Sequence, residues 1–367
     1  MRRESSSLVG LNVGQVFNLP VHDEQHWQVK NLPHENAHLM TINWEPLRPI
    51  IAEHQRFVLS SHVRPDADAL GSELGMAALL EGMGKQVRIV NPSSSPANLL
   101  FLDPTQRVKK FGDGMTSAEA FDTDVHMILD TSAWGQLTEL GGVIKHTKAK
   151  KVLIDHHVSS DDLGALEFKD TNAEATGALV FQLFRFFDVP ITKAAADALF
   201  CAIATDTGWF RFPSTTANTL RIAGDLIDAG AQPNLLFQVL YEQTTLSRTK
   251  LAGRVLSTVK LDCEGQLAYV TVTQQDFAET GAVPADTEDL VNECLKISGT
   301  KAAFIAIEQA TKSVKISFRS RVGLNVAAIA ERFGGGGHKQ AAGAILPGPV
   351  PTAIAQVLAA IKAALAS

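Results

Sequence analysis

The stretch Phe57-Val58-Leu59-Ser60-Ser61-His62-Val63-Arg64-Pro65-Asp66-Ala67-Asp68-Ala69-Leu70-Gly71-Ser72 decides how the rest of the chain is read. An apolar run is followed by a histidine and two aspartates within seven residues, then by Gly and Ser, then by Leu74, Ala77, Ala78 and Leu79 at helical spacing. That pattern is a buried strand, a loop and the start of a helix, the first half of a βαβ unit. In open α/β sheets ligands sit beyond the carboxyl ends of the strands, which is where His62, Asp66 and Asp68 fall.

Three further stations repeat the pattern. Val125-His126-Met127-Ile128-Leu129 stops at Asp130, and Val152-Leu153-Ile154 stops at Asp155-His156-His157. The helical spacing of Ala195, Ala198, Leu199, Ala202 and Ile203 runs out at Thr205-Asp206-Thr207-Gly208. Taken singly, an aspartate after a strand is a turn former or a helix N-cap, and His126, inside an apolar run, is a core or surface residue. Taken together, the stations converge on one polar rim. Two carboxylates about 4 Å apart repel by roughly 4 kcal/mol at an effective dielectric of about 20, so gathering Asp66, Asp68, Asp130 and Asp206 calls for cations. Two divalent ions neutralise four such charges. Carboxylate and imidazole donors without cysteine suit Mn²⁺, with Mg²⁺ or Co²⁺ as substitutes, better than a structural zinc.

In this order and at these separations, His62-x3-Asp66-x-Asp68, Asp130, Asp155-His156-His157 and Asp206 resemble the four motifs of the DHH phosphoesterase superfamily. Phe333-Gly334-Gly335-Gly336-Gly337-His338-Lys339-Gln340-Ala341-Ala342-Gly343 resembles the signature of the associated DHHA1 substrate-binding domain. Within the superfamily the chain is most similar to the NrnA-like group of two-domain oligoribonucleases and phosphoadenosine-phosphate (pAp) phosphatases. The resemblance implies an α/β fold, with a parallel-sheet DHH catalytic domain over 41–235, a helical linker over 236–258 and a smaller α/β DHHA1 domain over 259–367. It implies that His62, Asp66 and Asp130 hold one divalent ion, and that Asp68, a bridging Asp130, His156 and Asp206 hold the other. His157 then faces the scissile phosphate, and Asp155 orients an imidazole from behind. The implied activity is hydrolysis of short oligonucleotides to mononucleotides, and of pAp to AMP and phosphate, by two-metal activation of a bridging water.

The glycine run has its own chemistry. A Gly-rich turn lets backbone N–H groups approach an anion, because no Cβ intervenes and positive φ costs little. With Arg319 and Arg321 upstream in Ser317-Phe318-Arg319-Ser320-Arg321, the residues Gly335, Gly336, Gly337 and His338 make a candidate phosphate and nucleotide grip. Arg211, in Trp209-Phe210-Arg211-Phe212 just past Asp206, is a candidate phosphate contact from the catalytic side. Its aromatic neighbours are either base-stacking platforms or core.

Composition bounds the alternatives. With 367 residues, 45% hydrophobic and 20% charged, the chain has material for two cored domains. A net charge of −6 disfavours a long nucleic-acid track, which needs many Lys and Arg contacts. A local basic pocket still suits a short single-stranded RNA or DNA oligonucleotide, or a mononucleotide. Cys201, Cys263 and Cys294 are dispersed, without a CxxC pair, as in a reducing, cytoplasmic setting. No run reaches the ~18 apolar residues of a membrane span, which sets membrane-anchored relatives acting on cyclic dinucleotides apart. Residues 1–40 lack sustained periodicity and a secretory cleavage pattern; a disordered tail is expected, or a true start at Met40. A homodimer is the expected oligomer on symmetry grounds alone.

Past the rim, Leu220, Ala223, Leu226 and Ile227 mark a helix, and Pro233 opens a helical stretch that runs onward to Leu251 and Val255. Residues 267–272, 303–307 and 314–318 read as strands, residues 286–295 and 326–333 as helices, and Pro351 opens an Ala-rich helix. Two lobes imply a cleft that closes on substrate, hence a preference for oligonucleotides of a few residues. Other functions fit parts of the pattern. A linear or cyclic dinucleotide phosphodiesterase or a RecJ-like single-strand exonuclease shares the motifs, although this length leaves no room for the further modules of such an exonuclease. A family II inorganic pyrophosphatase shares the metal motifs and lacks the GGGGH run, and a nucleotide-sensing regulator would keep the site without turnover.

Overall fold

The computed structural model describes residues 42–321 and 323–365; the expectation for residues 1–40 lies outside the described residues. Six strands form one sheet: β1 (Arg56–Ser60), β2 (Gln86–Asn91), β3 (Val108–Lys110), β4 (Val125–Leu129), β5 (Lys150–Asp155) and β6 (Leu166–Lys169). Their order is β3-β2-β1-β4-β5-β6, and every pair is parallel. The apolar runs of β1, β4 and β5 are buried on both faces, as helices on both sides of a parallel sheet require. Along β1 alternate residues part company. Phe57 and Leu59 join the core beneath the helices Ala67–Gly82, Thr176–Phe187 and Lys193–Asp206, while Val58 packs with Leu137, Leu140 and Ile144 on the other face.

The strand order reverses between β1 and β4, and the crevice at such a reversal is where open α/β sheets take ligands. The loop after β1 carries His62 and the residue after β4 is Asp130, so both stand at that crevice. Helix packing delivers the rest. The helices Ala67–Gly82 and Lys193–Asp206 meet at Gly71, where a Cβ would lie 2.3 Å from the Ala198 carbonyl oxygen. A Cβ on Gly177 would likewise stand 2.6 Å from that of Ala202. Small residues at these crossings bring the first turns of two helices and the last turn of a third to one rim.

A second sheet holds β7 (Lys260–Asp262), β8 (Leu267–Val272), β9 (Ala302–Glu308), β10 (Ser313–Ser320), β11 (Gly336–His338) and β12 (Ala341–Pro347). The order is β11-β12-β10-β9-β8-β7, antiparallel except for the β8–β9 pair. One face packs on the helices Val326–Glu331 and Val350–Leu365, the other on Leu246–Leu256 and Leu290–Leu295.

The helical stretch expected to continue from Pro233 to Val255 is two helices with different allegiances. Pro233–Tyr241 buries Leu236 in the first core, whereas Leu246–Leu256 buries Leu251 and Val255 in the second. The break falls where Thr245 caps the second helix, its side chain accepting from the Arg248 N–H. Among the described residues no helix is long and apolar enough to cross a membrane.

Candidate metal centre and phosphate grip

Asp66 serves two readings at once. Its Oδ1 caps the Ala67–Gly82 helix by accepting from the N–H groups of Asp68 and Ala69, both at 3.0 Å, and the same carboxylate stands 3.8 Å from His62 Nε2. Asp68, 2% exposed, is held by the amino end of the Thr176–Phe187 helix: Oδ2 accepts from Thr176 N–H at 2.7 Å and Oδ1 from Gly177 N–H at 2.8 Å. Helix amino termini favour negative charge in this way. Asp130 follows β4 with a φ of 61°, a left-handed conformation that Asp tolerates better than most residues. Its Oδ1 accepts from Thr176 Oγ1 at 2.9 Å, so one threonine braces two of the carboxylates.

The two imidazoles present the same edge to these carboxylates. His62 Nδ1 lies 3.0 Å from the Val63 carbonyl and His156 Nδ1 3.1 Å from the Ala173 carbonyl, so each ring donates at Nδ1 and aims Nε2 at the aspartates. His62 Nε2 is 3.4 Å from Asp130; His156 Nε2 is 3.6 Å from Asp130, 3.6 Å from Asp206 and 3.7 Å from Asp68. Such separations exceed ordinary hydrogen bonds. They suit donors sharing an ion, since two ligands about 2.1 Å from one centre stand about 3 Å or slightly more apart.

The electrostatics agree. Burial, with Asp130 and Asp206 alongside, raises the pKa of Asp68 well above the ordinary carboxylate value. Asp206 is raised too, burial leading. Burial opposes charge on His62, yet hydrogen bonding to Asp130 and Asp66 raises its pKa to about 11: a proton takes the place a cation would fill. Three overlapping groups have ligand atoms within 4.8 Å of one another: His62, Asp66 and Asp130; Asp68, His156 and Asp206; Asp130, His156 and His157. The donor set therefore fits divalent cations, with Asp130 and His156 each shared between two groups.

His157 differs from the other two. It is half-exposed, its Nδ1 is 2.9 Å from Asp155 Oδ1, and the same oxygen accepts its backbone N–H at 3.1 Å. That hydrogen bond to Asp155 raises the His157 pKa against the opposing effect of burial. Asp155 is fully buried; its Oδ2 accepts from Ser132 Oγ at 2.7 Å and lies 3.2 Å from the Lys169 ammonium.

In the second sheet the register builds a different kind of surface. Val314, Ile316 and Phe318 of β10 are buried, and Lys315, Ser317 and Arg319 alternate to the opposite face. Arg319 is paired with Ala341 of β12, and Ala341 with His338 of β11; the adjacent row is Ser317, Gly343 and Gly336. Paired residues share a face, so Arg319 and His338 border a floor made of Ala341, Gly343 and Gly336. A Cβ on Gly336 would meet open space.

The glycine run is not the turn expected of it. Gly336, Gly337 and His338 form an edge strand against β12. A Cβ on Gly337 would lie 2.5 Å from the Ala341 carbonyl oxygen, and one on Gly335 2.1 Å from that of Gly343. Those two glycines permit close strand packing, and Gly336 alone of the three faces the floor.

Arg321 also departs from expectation. Its Nε donates to the Thr300 carbonyl at 3.0 Å and its Nη2 to the Leu295 carbonyl at 2.6 Å, so it braces the end of the Leu290–Leu295 helix rather than presenting free donors. Among the described residues the Arg319 guanidinium bonds within its own strand, Nη1 to the Phe318 carbonyl at 3.0 Å, and Arg211 is exposed with Nε on the Gly208 carbonyl at 2.6 Å. Of the aromatics beside Arg211, Phe210 packs edge-on against buried Phe200 and Phe212 is exposed.

Comparison with known proteins fits this geometry. A family model described as DHH family, N-terminal domain, matches residues 56–203, and one described as DHHA1 domain matches residues 264–367. The chain is 30% identical over 329 residues to the bifunctional oligoribonuclease and PAP phosphatase NrnA of Thermus thermophilus, covering 87% of this chain and 94% of that protein. This chain belongs to the DHH family. It is also 29% identical over 297 residues to the NrnA protein of Bacillus subtilis, covering 80% of this chain and 90% of the relative. A solved structure of an exopolyphosphatase-related protein from Bacteroides fragilis superposes with a TM-score of 0.76 at 25% identity, covering 88% of this chain and 97% of that one.

Sequence reasoning missed four residues of the DHH domain's site: Ser132, Lys169, Thr176 and Gly177. Thr176-Gly177 opening the apolar run 178–184 was a legible signal, because Thr and Gly favour helix starts whose N–H groups seek an anion. Lys169 and Ser132 gave none; their partners are distant in sequence and nothing local marks them.

Proposed function

We propose that this DHH-family protein is a metal-dependent phosphoesterase that hydrolyses short oligonucleotides to mononucleotides, and pAp to AMP and phosphate, with Mn²⁺ as its ion. The observation that carries the reading is the set of three overlapping Asp and His groups at the sheet reversal. The names of its relatives, oligoribonuclease and PAP phosphatase, support the substrate class. In this assignment His62, Asp66 and Asp130 hold one ion, and Asp68, Asp130, His156 and Asp206 the other. Bound there, divalent ions supply an activated water and neutralise charge developing on the phosphate.

The chain's own groups supply position and protons. His157, anchored at Nδ1 by Asp155, keeps Nε2 for the phosphate oxygens, where an imidazolium donates a hydrogen bond as negative charge builds. Thr176 and Gly177 hold Asp68 and Asp130 in place before any substrate arrives. Arg319 and His338 grip a non-reacting phosphate at the margin of the glycine floor, whose lack of side chains leaves room for a sugar. Arg211 reaches a phosphate from the catalytic side. So few cationic contacts hold a few nucleotides and not a long strand. We assign the activity to the cytoplasm, whose reducing conditions suit three free cysteines.

A hydrolysis panel with Mn²⁺ tests the reading: a ribodinucleotide, a 20-mer RNA, short DNA, pAp, linear diadenylate and pyrophosphate. The expected result is turnover of the dinucleotide and pAp, with the dinucleotide cut faster than the 20-mer. Faster cutting of the 20-mer would favour an exonuclease instead, and turnover of pyrophosphate alone would overturn the proposal.

A further inference from the structure

We propose that Lys169 is a positioning residue of this site: it pins the Asp155 carboxylate so that His157 is held in one orientation with Nε2 toward the substrate phosphate. Lys169 ends β6, and the parallel register pairs it with Asp155, the last residue of β5. Its ammonium lies 2.7 Å from Ser132 Oγ, 2.8 Å from the Ser159 carbonyl and 3.2 Å from Asp155 Oδ2. Three oxygens match the three N–H donors of an ammonium. The side chain is 14% exposed, so this is an inward-facing cation and not a solvated one.

The carboxylate divides its work by atom. Oδ2 takes Ser132 and Lys169; Oδ1 takes the backbone N–H and the Nδ1 of His157. A carboxylate fastened at one oxygen cannot swing, so the other oxygen becomes a fixed stop for the imidazole. His157 needs such a stop because its side chain is 48% exposed, with the edge contact to His156 on one side. Asp155 is itself 0% exposed, and a buried carboxylate that loses its cation turns toward its remaining partners. Oδ1 then ceases to hold Nδ1 firmly. The ammonium never touches substrate; it acts through Asp155, as partners behind a working imidazole do.

The inference rests on the phosphoester-hydrolase reading for its kinetic consequence and on geometry alone for its structural one, so the test has two arms. Lys169→Met keeps an unbranched side chain one atom shorter and removes the charge. In the kinetic arm kcat falls about tenfold, a loss typical of such supporting residues, while KM stays within twofold. Lys169→Met combined with Asp155→Asn costs no more than Asp155→Asn alone, because both changes act through one carboxylate. In the second arm, nitrogen-15 histidine spectra of the metal-free protein, recorded at a pH high enough to make the ring neutral, show His157 carrying its proton at Nδ1 in the wild type and divided between tautomers in Lys169→Met. Lys169→Arg, which keeps a cation, retains the wild-type spectrum.

Thermal melts establish that each variant is folded at the assay temperature. If Lys169→Met does not fold, Lys169→Gln, which keeps a polar end without the charge, takes its place in both arms. Unchanged kcat with an unchanged ring spectrum overturns the proposal, as do multiplicative losses in the double variant. A wild-type protein that hydrolyses no phosphoester would sink the functional reading and leave the spectra to decide on Lys169.

Discussion

The rim of the parallel sheet and the part of the second sheet's face left open across β10, β12 and β11 are built by opposite means. At the rim, carboxylates crowd together: Asp68 and Asp130 are buried and held by a helix end and a hydroxyl, while Asp66 and Asp206 stand nearer the solvent beside the imidazoles. On the open face there is almost nothing: a floor of Ala341, Gly343 and Gly336 with Arg319 and His338 at its margins. The first region has strong local fields that fit divalent cations, whereas the second provides space and a few donors. Under the proposed function, catalytic groups that must not move belong in the former, and a substrate of variable length on the latter.

The sharpest way to break this contrast is at Asp130, which stands near His62, His156 and His157 together. Asp130→Ala should lower kcat by about a thousandfold or more, since ions of this kind contribute several kcal/mol of charge stabilisation. Turnover assays at saturating Mn²⁺ check it, and wild-type rates in the variant would remove Asp130 from the site.

Next in size is the stability cost of the crowded charge. Glu73 is buried beside the rim, where it accepts from Asn91 Nδ2 at 2.8 Å, while Asn91 Oδ1 accepts from Ser61 N–H at the root of the His62 loop. Burial raises the Glu73 pKa from 4.5 to about 8, with the Asn91 hydrogen bond opposing. The folded protein therefore binds more protons than the unfolded chain between those values, and stability falls as pH rises across that window. Between pH 5 and pH 8 the metal-free wild type should lose about 2 kcal/mol more than Glu73→Gln, a modest fraction of the shift converted at about 1.4 kcal/mol per unit. Urea denaturation in the presence of a chelator measures it; parallel slopes would show that Glu73 does not titrate there.

The open face should respond differently. Arg319→Ala should raise KM for a dinucleotide about tenfold and leave kcat within twofold, since a charge-assisted hydrogen bond to a non-reacting phosphate contributes about 1.5 kcal/mol to both ground and transition states. A fall in kcat with KM unchanged would move Arg319 from grip to chemistry. The smallest effect separates two neighbouring glycines. Gly336→Ala should leave the melting temperature within about 1 °C and raise KM about twofold, its Cβ entering free space above the floor. Gly337→Ala, with φ at 144° and a carbonyl in the way, should lower the melting temperature by several degrees.

The rim was legible because each of its stations is a local string, an apolar run that stops at a carboxylate, and the rule for ligand sites in parallel sheets supplies their convergence. His126 was legible for the same reason. It is fully buried with Nε2 on Ser60 Oγ at 2.9 Å, and burial lowers its pKa to about 4, as befits a core residue. What stayed hidden depends on pairings between distant residues. Thr176 meets Asp130 and Lys169 meets Asp155 only once strands and helices are assembled. The glycine run misled for a related reason, since local composition cannot distinguish a turn from an edge strand whose neighbour leaves no room for Cβ. Arg321 reads as a free cation until the helix end that it closes is in place. The break at Thr245 had a local mark, a cap residue, but the apolar spacing on either side masked it.

That break has a consequence for scale. Only residues 242–245 separate the helix that ends at Tyr241 from the one that begins at Leu246. Four residues drawn out fully reach about 14 Å at most. The peptide leash thus keeps the end of the first helix and the start of the second within that span, so the two cores it joins stay neighbours.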